Sequence, residues 1–401
     1  MMDQGGLHGR GAALVEPVRQ WGLYVHIPFC PYKCDYCDFV AVAAGPRVAR
    51  WHEPYAAALV AEARFWAERL RPPGPPATVF YGGGTPTALG AARLAELHRA
   101  LEGVWGRAPG AEVTVECNPG TVDAPGLAEI RAAGVTRLSV GLQAAQDRLL
   151  AAVRRGHGRG EFLEAWAAAR SAGFDNLAVD LMVGLPGQTA ADVAESLDLL
   201  WPLRPEHVSV YALQVEEGTV LAASSARGAV ALPDDGAAME QWGAASAALT
   251  ARGYEHYEIS NFALPGRACR HNLGYWRNGD WLGLGVGAHS HWAGARWRNT
   301  ISLAAHRDGL RAPGAAAWTR GHEGPDPARR RSEDAFLGLR LLREGIDLRG
   351  YAERHGISLG AAFPGAVEQV VAGGLCTVRD GRLRLRAEAV PLANRACAAF
   401  V

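Results

Sequence analysis

From Trp21 onward, short apolar runs alternate with Ala- and Leu-rich stretches. The runs at 23–26, 78–81, 112–116, 137–141, 176–182 and 207–211 predict strands, being brief, apolar and bounded by Gly, Pro or polar residues. The stretches at 54–70, 91–101, 124–132, 160–172 and 190–200 carry helical spacing. Strands that alternate with helices pair in parallel, and a parallel sheet is covered on both faces, which is why these runs are apolar throughout. The fold class is therefore α/β. Six such units fit a closed or partly closed barrel; a doubly wound open sheet is the alternative that periodicity leaves open.

After Tyr211 the pattern changes. Residues 216–235 read as loops and short turns, 237–252 as a helix and 254–259 as a strand, before a polar-aromatic segment at 261–292. Pro313, Gly314 and the turn cluster 324–327 suggest a linker. Helices are predicted at 332–343, 348–355 and 364–372, then a hairpin of 376–379 and 382–385 turning on Asp380-Gly381. Three helices and a small β-wing make a winged-helix-like module. The organisation expected is a disordered tail (1–20), a barrel (21–215), a barrel extension (216–300) and a C-terminal module (301–401).

The 401 residues, with 41 basic against 41 acidic, suit two or three domains and no net charge. That balance, and a hairpin without a basic stripe, argue against a nucleic-acid partner. No apolar run approaches the roughly 18 residues that a membrane span needs, so only peripheral membrane contact is left open. The tail lacks a secretory pattern, and the expected location is the cytoplasm. Among the basic residues only Lys33 is a lysine, which reads as genomic base bias. Seven cysteines are too few, and an odd number, for a disulfide scaffold, and three of them fall within eight residues.

Those three are Cys30, Cys34 and Cys37, spaced C-x3-C-x2-C on the loop after the first strand. Thiolates bind zinc or iron–sulfur clusters. A structural zinc site wants four ligands, and this loop offers three; three thiolates on a cubane leave one iron open for a non-protein ligand. A zinc loop completed by a distant residue is the alternative. Further candidates stand at or near the C-terminal ends of later strands, where barrel enzymes build their sites: Gly83, Gly84 and Thr85, then Glu116, Gln143, Arg155 with His157, and Asp180. A charge in an apolar strand is costly unless paired.

The cysteine motif after a first strand resembles the radical S-adenosylmethionine (SAM) superfamily. The resemblance implies a partial (β/α)6 barrel and a [4Fe–4S] cluster whose open iron chelates SAM. By the same resemblance the Gly83-Gly84-Thr85 turn contacts the SAM amino group, and Glu116, Gln143, Arg155, Asp180 and Tyr24 match SAM-contacting positions.

Within that superfamily the motifs resemble the group of coproporphyrinogen dehydrogenases and related heme chaperones, from Leu23 to the C-terminus. The oxidase pattern has a fourth cysteine two residues after the third; here that position is Phe39, as in the chaperones. His271-Asn272-Leu273-Gly274-Tyr275-Trp276 matches their H-N-x-x-Y-W signature. The resemblance implies heme on His271, Tyr275 and Trp276, with delivery of heme to acceptor proteins. The other reading is radical oxidative decarboxylation of coproporphyrinogen III propionates. On residue chemistry alone, His271 is also read as a merely hydrogen-bonded histidine in a loop that packs the barrel mouth. The glycine-rich stretch 282–290 is expected to close over the SAM adenine or the tetrapyrrole. A homodimer, through the cluster or the C-terminal module, is compatible with the sequence.

Overall fold

A computed structural model describes residues 20–43, 45–311 and 314–401; the predicted tail up to residue 19, and Pro313, lie outside the described residues. The six predicted strands all form, each reaching one or two residues further at its C-terminal end: β1 (Trp21–Ile27), β2 (Thr78–Gly83), β3 (Glu112–Cys117), β4 (Arg137–Gln143), β5 (Leu177–Val183) and β6 (His207–Ala212). The helices between them are α1 (His52–Leu70), α2 (Ala91–Trp105), α3 (Ala124–Ala133), α4 (Arg159–Ser171) and α5 (Ala190–Leu203). A short helix, Asp147–Ala152, was not predicted.

The six strands pair in chain order and all in parallel. A doubly wound sheet reverses its strand order part-way, so this order decides for a barrel. Local signals start the helices where the strands need them. The Asp123 side chain caps α3, and Thr189 with Asp192 forms a capping box on α5. Buried Tyr55 and Leu59 of α1, Trp166 of α4 and Leu200 of α5 belong to the continuous core around the sheet.

The second half departs from its sequence reading. Residues 220–226, read as loop, form a helix. Then come α6 (Asp235–Ala251), β7 (Glu255–Glu258), β8 (Asn261–Ala263), α7 (Arg270–Trp276), β9 (Asp280–Leu284), β10 (His289–Trp292), β11 (Ala295–Asn299) and β12 (Thr319–Glu323). β8 and β7 extend the sheet antiparallel from β6, while β9 adds in parallel to β1 and carries β10, β11 and β12 as an antiparallel meander. The barrel therefore stays open between β1 and β6. The stretch 282–290 does not close over a ligand: it runs as β9 into a tight turn. A Cβ on Gly285 would fall 2.4 Å from the Tyr55 hydroxyl and 2.8 Å from the His26 carbonyl oxygen. The glycines there serve close packing on β1 and α1.

The last part is α8 (Pro327–Leu339), α9 (Leu348–His355), α10 (Ala366–Ala372) and the hairpin of β13 (Cys376–Arg379) and β14 (Arg382–Leu385). α9 and the hairpin fall where the sequence puts them. Arg296 on β11 grips Glu333 of α8 with two bonds of 2.7 and 2.9 Å, fastening this module to the sheet.

Candidate cofactor site

The cysteine loop leaves β1 and is tied down at both ends. Phe29–Cys30 pairs with Val42–Ala43, and the His26 ring meets the Val40 carbonyl at 2.8 Å. Burial lowers the pKa of His26, so its ring is neutral. Cys30 and Cys34 are buried, Cys37 is half-buried, and all three are free thiols. Burial raises the pKa of Cys30 and of Cys37. Opposing this, Thr85 Oγ1 lies 3.4 Å from Cys30 Sγ, and Arg155 donates from Nη1 to Cys34 Sγ at 3.5 Å.

The three thiols open into one cavity of about 440 Å³ at the C-terminal ends of the strands. Gly83, Gly84, Thr85, Glu116, Gln143, Arg155, Asp180 and Phe39 line the same cavity. Gly84 has to be glycine: a Cβ there would sit 2.8–2.9 Å from backbone atoms of residues 27–29, where the cysteine loop begins. Gln143 has φ 71°, a left-handed conformation unusual for its type, beside an irregularity in the β4–β5 register. Strain of this kind is kept where the surrounding structure enforces it.

Charge in the cavity is organised around Arg155. Neighbouring Tyr36, Cys34 and Tyr32 hold it protonated against the cost of its burial. It also donates to Asn118, whose Nδ2 reaches Thr85 Oγ1 at 2.7 Å. Glu116 accepts from the Gly83 N–H at 3.2 Å, and burial together with nearby Asp180 pushes its pKa up to about 8. The pKa of Asp180 is also raised by burial, while Ser139 donates to both of its oxygens at 3.3 and 3.2 Å. Tyr24 lies outside the cavity lining, inside the barrel, bonded to His26 and stacked on Phe80.

His271 is elsewhere. Helix α7 packs at the opposite, N-terminal ends of the strands. Glu112, the first residue of β3, accepts from the N–H groups of Arg270 and His271, each at 3.1 Å. The His271 ring is 3% exposed and stacked on Phe80. Its Nδ1 meets Thr78 Oγ1 and its Nε2 meets the Tyr275 hydroxyl, both at 2.8 Å. Burial lowers its pKa to about 3, so the ring is neutral. Trp276 packs under Arg340, whose guanidinium carbon is 4.3 Å from the ring. None of these three residues lines the cavity.

Residues 24–200 match the radical SAM superfamily, and residues 326–392 match the HemN C-terminal domain. The heme chaperone HemW of Mycobacterium tuberculosis is 39% identical over 384 residues, covering 93% of this chain and 94% of that protein. This chain belongs to the HemW family of the radical SAM superfamily. The Bacillus subtilis heme chaperone HemW is 34% identical over 94% of this chain and 98% of its own length. The crystal structure of coproporphyrinogen III oxidase (HemN) from Escherichia coli superposes with a TM-score of 0.81 at 22% identity. The match covers 96% of this chain and 91% of that one, and it establishes the shared fold.

For a HemW-family chain the donor set fits a cluster better than a single ion. Among the described residues no three His, Cys, Asp or Glu side chains, the three cysteines included, converge to hold one metal ion. A cubane instead takes each thiolate on a different iron. Several lining residues escaped the sequence reading: Tyr32, Lys33, Tyr36, Asn118, Ser139 and Tyr211. Asn118 sits one turn past Glu116 in the motif Glu116-Cys117-Asn118-Pro119 and was legible as a strand-end polar residue. The tyrosines gave no signal, since aromatic residues are ordinary core material. No helix among the described residues is long and apolar enough to cross a membrane.

Proposed function

We propose that this chain is a heme chaperone that binds heme and hands it to acceptor proteins in the cytoplasm. The observation that carries the reading is full-length similarity, at 34–39% identity, to relatives named heme chaperone HemW. Phe39, standing where the oxidase pattern has a fourth cysteine, supports it. Cys30, Cys34 and Cys37 hold a [4Fe–4S] cluster, and Gly83, Gly84, Thr85, Glu116, Gln143, Arg155 and Asp180 hold SAM beside it, with Tyr24 backing Glu116 from within the barrel. When bound, the cluster supplies one-electron chemistry and an open iron for SAM. The chain's own part is to keep Cys34 under the Arg155 cation and to keep the loop closed through the Val40 carbonyl bond to His26.

The second reading, coproporphyrinogen III decarboxylation, is favoured by the HemN fold match. One assay separates the two. Anaerobically reconstituted protein is titrated with heme and, in parallel, incubated with coproporphyrinogen III, SAM and a reductant. Stoichiometric heme uptake without decarboxylation is expected. Turnover to protoporphyrinogen IX at enzyme-like rates would overturn the chaperone reading.

A further inference from the structure

Base bias accounts for forty of the 41 basic residues being arginine, but not for where the one lysine survives. Lys33 lies inside the eight-residue cysteine motif of a 401-residue chain, and its exposed side chain lines the cavity mouth. Among the described residues no group accepts a hydrogen bond from it and no carboxylate pairs with it. Beside it on the rim stand apolar groups that a folded surface normally covers: Phe39 is 63% exposed and Tyr211 is 40% exposed. Both line the same cavity. Val215, 44% exposed, lies between two lining residues, Gln214 and Glu216. Deeper in the cavity the walls are polar, with Glu116, Asp180, Gln143 and Arg155. The rim is therefore a flat apolar ledge with one unpaired cation, next to a polar well.

We propose that this ledge is the tetrapyrrole seat. Phe39 and Tyr211 take the face of the macrocycle, and the Lys33 ammonium takes a propionate carboxylate. The inference rests on the heme reading above and places the ligand away from His271, both of whose ring nitrogens are already engaged at the far end of the barrel. A ligand that is apolar across its face and anionic at its edge matches the ledge in shape and charge. Lysine also suits cargo that must leave. An ammonium is a point charge on a flexible stem, whereas a guanidinium fork grips a carboxylate with two bonds.

The test uses full-length reconstituted protein, with uptake normalised to cluster content. Wild type, Lys33→Gln and Lys33→Arg are titrated with hemin and with hemin dimethyl ester, which lacks the carboxylates. Lys33→Gln should weaken hemin binding about tenfold, the range of one charge-assisted hydrogen bond. It should leave the ester's affinity unchanged, and Lys33→Arg should keep hemin affinity. Equal loss for both ligands, no loss for either, or a Lys33→Arg loss as large as that of Lys33→Gln overturns the seat and leaves the chaperone reading standing. Wild-type protein that takes up no hemin overturns both.

Discussion

Arg155 and Cys34, 121 residues apart in the chain, meet at the cavity wall, with Arg155 Nη1 3.5 Å from the Cys34 sulfur. A buried cation that donates to a ligand sulfur stabilises negative charge there, which is the state the thiolate and a reduced cluster both need. Gly141 makes room for it: a Cβ at that position would fall 2.4 Å from Arg155 Nη2.

Arg155→Gln should therefore make the cluster harder to reduce. The expected change is a potential lower by on the order of 60 mV, one tenfold step of a one-electron couple. An EPR-monitored redox titration reads it directly. An unchanged potential in a fully loaded variant would remove Arg155 from that role.

Replacing Cys30, Cys34 or Cys37 singly with alanine should abolish the iron–sulfur absorbance after reconstitution. Cys117→Ala should leave it intact, because that thiol is buried and faces the Asn118 carbonyl at 3.6 Å. A full cluster in any of the first three variants would break the ligand assignment.

Glu116 gives a pH signature. Its pKa, about 8 in the fold against 4.5 in an unfolded chain, means the native state holds the extra proton between those values. Stability from this group is complete below about 4.5, is lost progressively as pH rises, and levels off above about 8. Glu116→Gln removes the titration. The stability of Glu116→Gln relative to wild type should rise between pH 5.5 and pH 8.5, by up to a few kcal/mol. Parallel thermal melts at the two pH values would show a constant difference if the carboxyl titrates normally.

His271→Ala strands the Thr78 and Tyr275 hydroxyls in a buried site and opens a void under Phe80. A loss of about 2–4 kcal/mol of stability follows from the cavity and the unpaired groups. The heme spectrum of the milder His271→Gln variant should keep the wild-type Soret position, since the imidazole faces Thr78 and Tyr275. A shift of ligand field in that variant would make His271 an iron ligand after all.

Gly84→Ala probes the junction of β2 with the cysteine loop. The new methyl group would press on backbone at Pro28, Ile27 and Phe29, which cannot move aside as a flexible side chain does. Cluster reconstitution should fall several-fold while the far-UV circular dichroism stays native; full reconstitution would show that the loop yields.

The cysteine triad, the six strands and the strand-end polar residues were legible in the sequence because each is a local signal. Spacing encodes the thiol set. A burial pattern of period two or 3.6 encodes the element, and a charge at the end of an apolar run marks the site face. The meander of β9–β12 was not legible. Its strands, such as Ala295–Asn299 and Thr319–Glu323, carry no apolar run, and they form because β1 offers an open edge to β9. His271 looked like a ligand because its motif is dense in ligand-type residues, but only the packing of α7 against Thr78 and Glu112 fixes where its ring faces.

By itself the sequence determined an α/β chain of six repeated units with a three-thiol loop and a separate C-terminal module, since local periodicity and spacing suffice for those. The tertiary structure alone decided the strand order, the open edge that recruits β9, the Arg155–Cys34 contact and the separation of His271 from the cavity. Each of these depends on groups far apart in the chain, and their meeting follows from how the whole core packs, which no local pattern records.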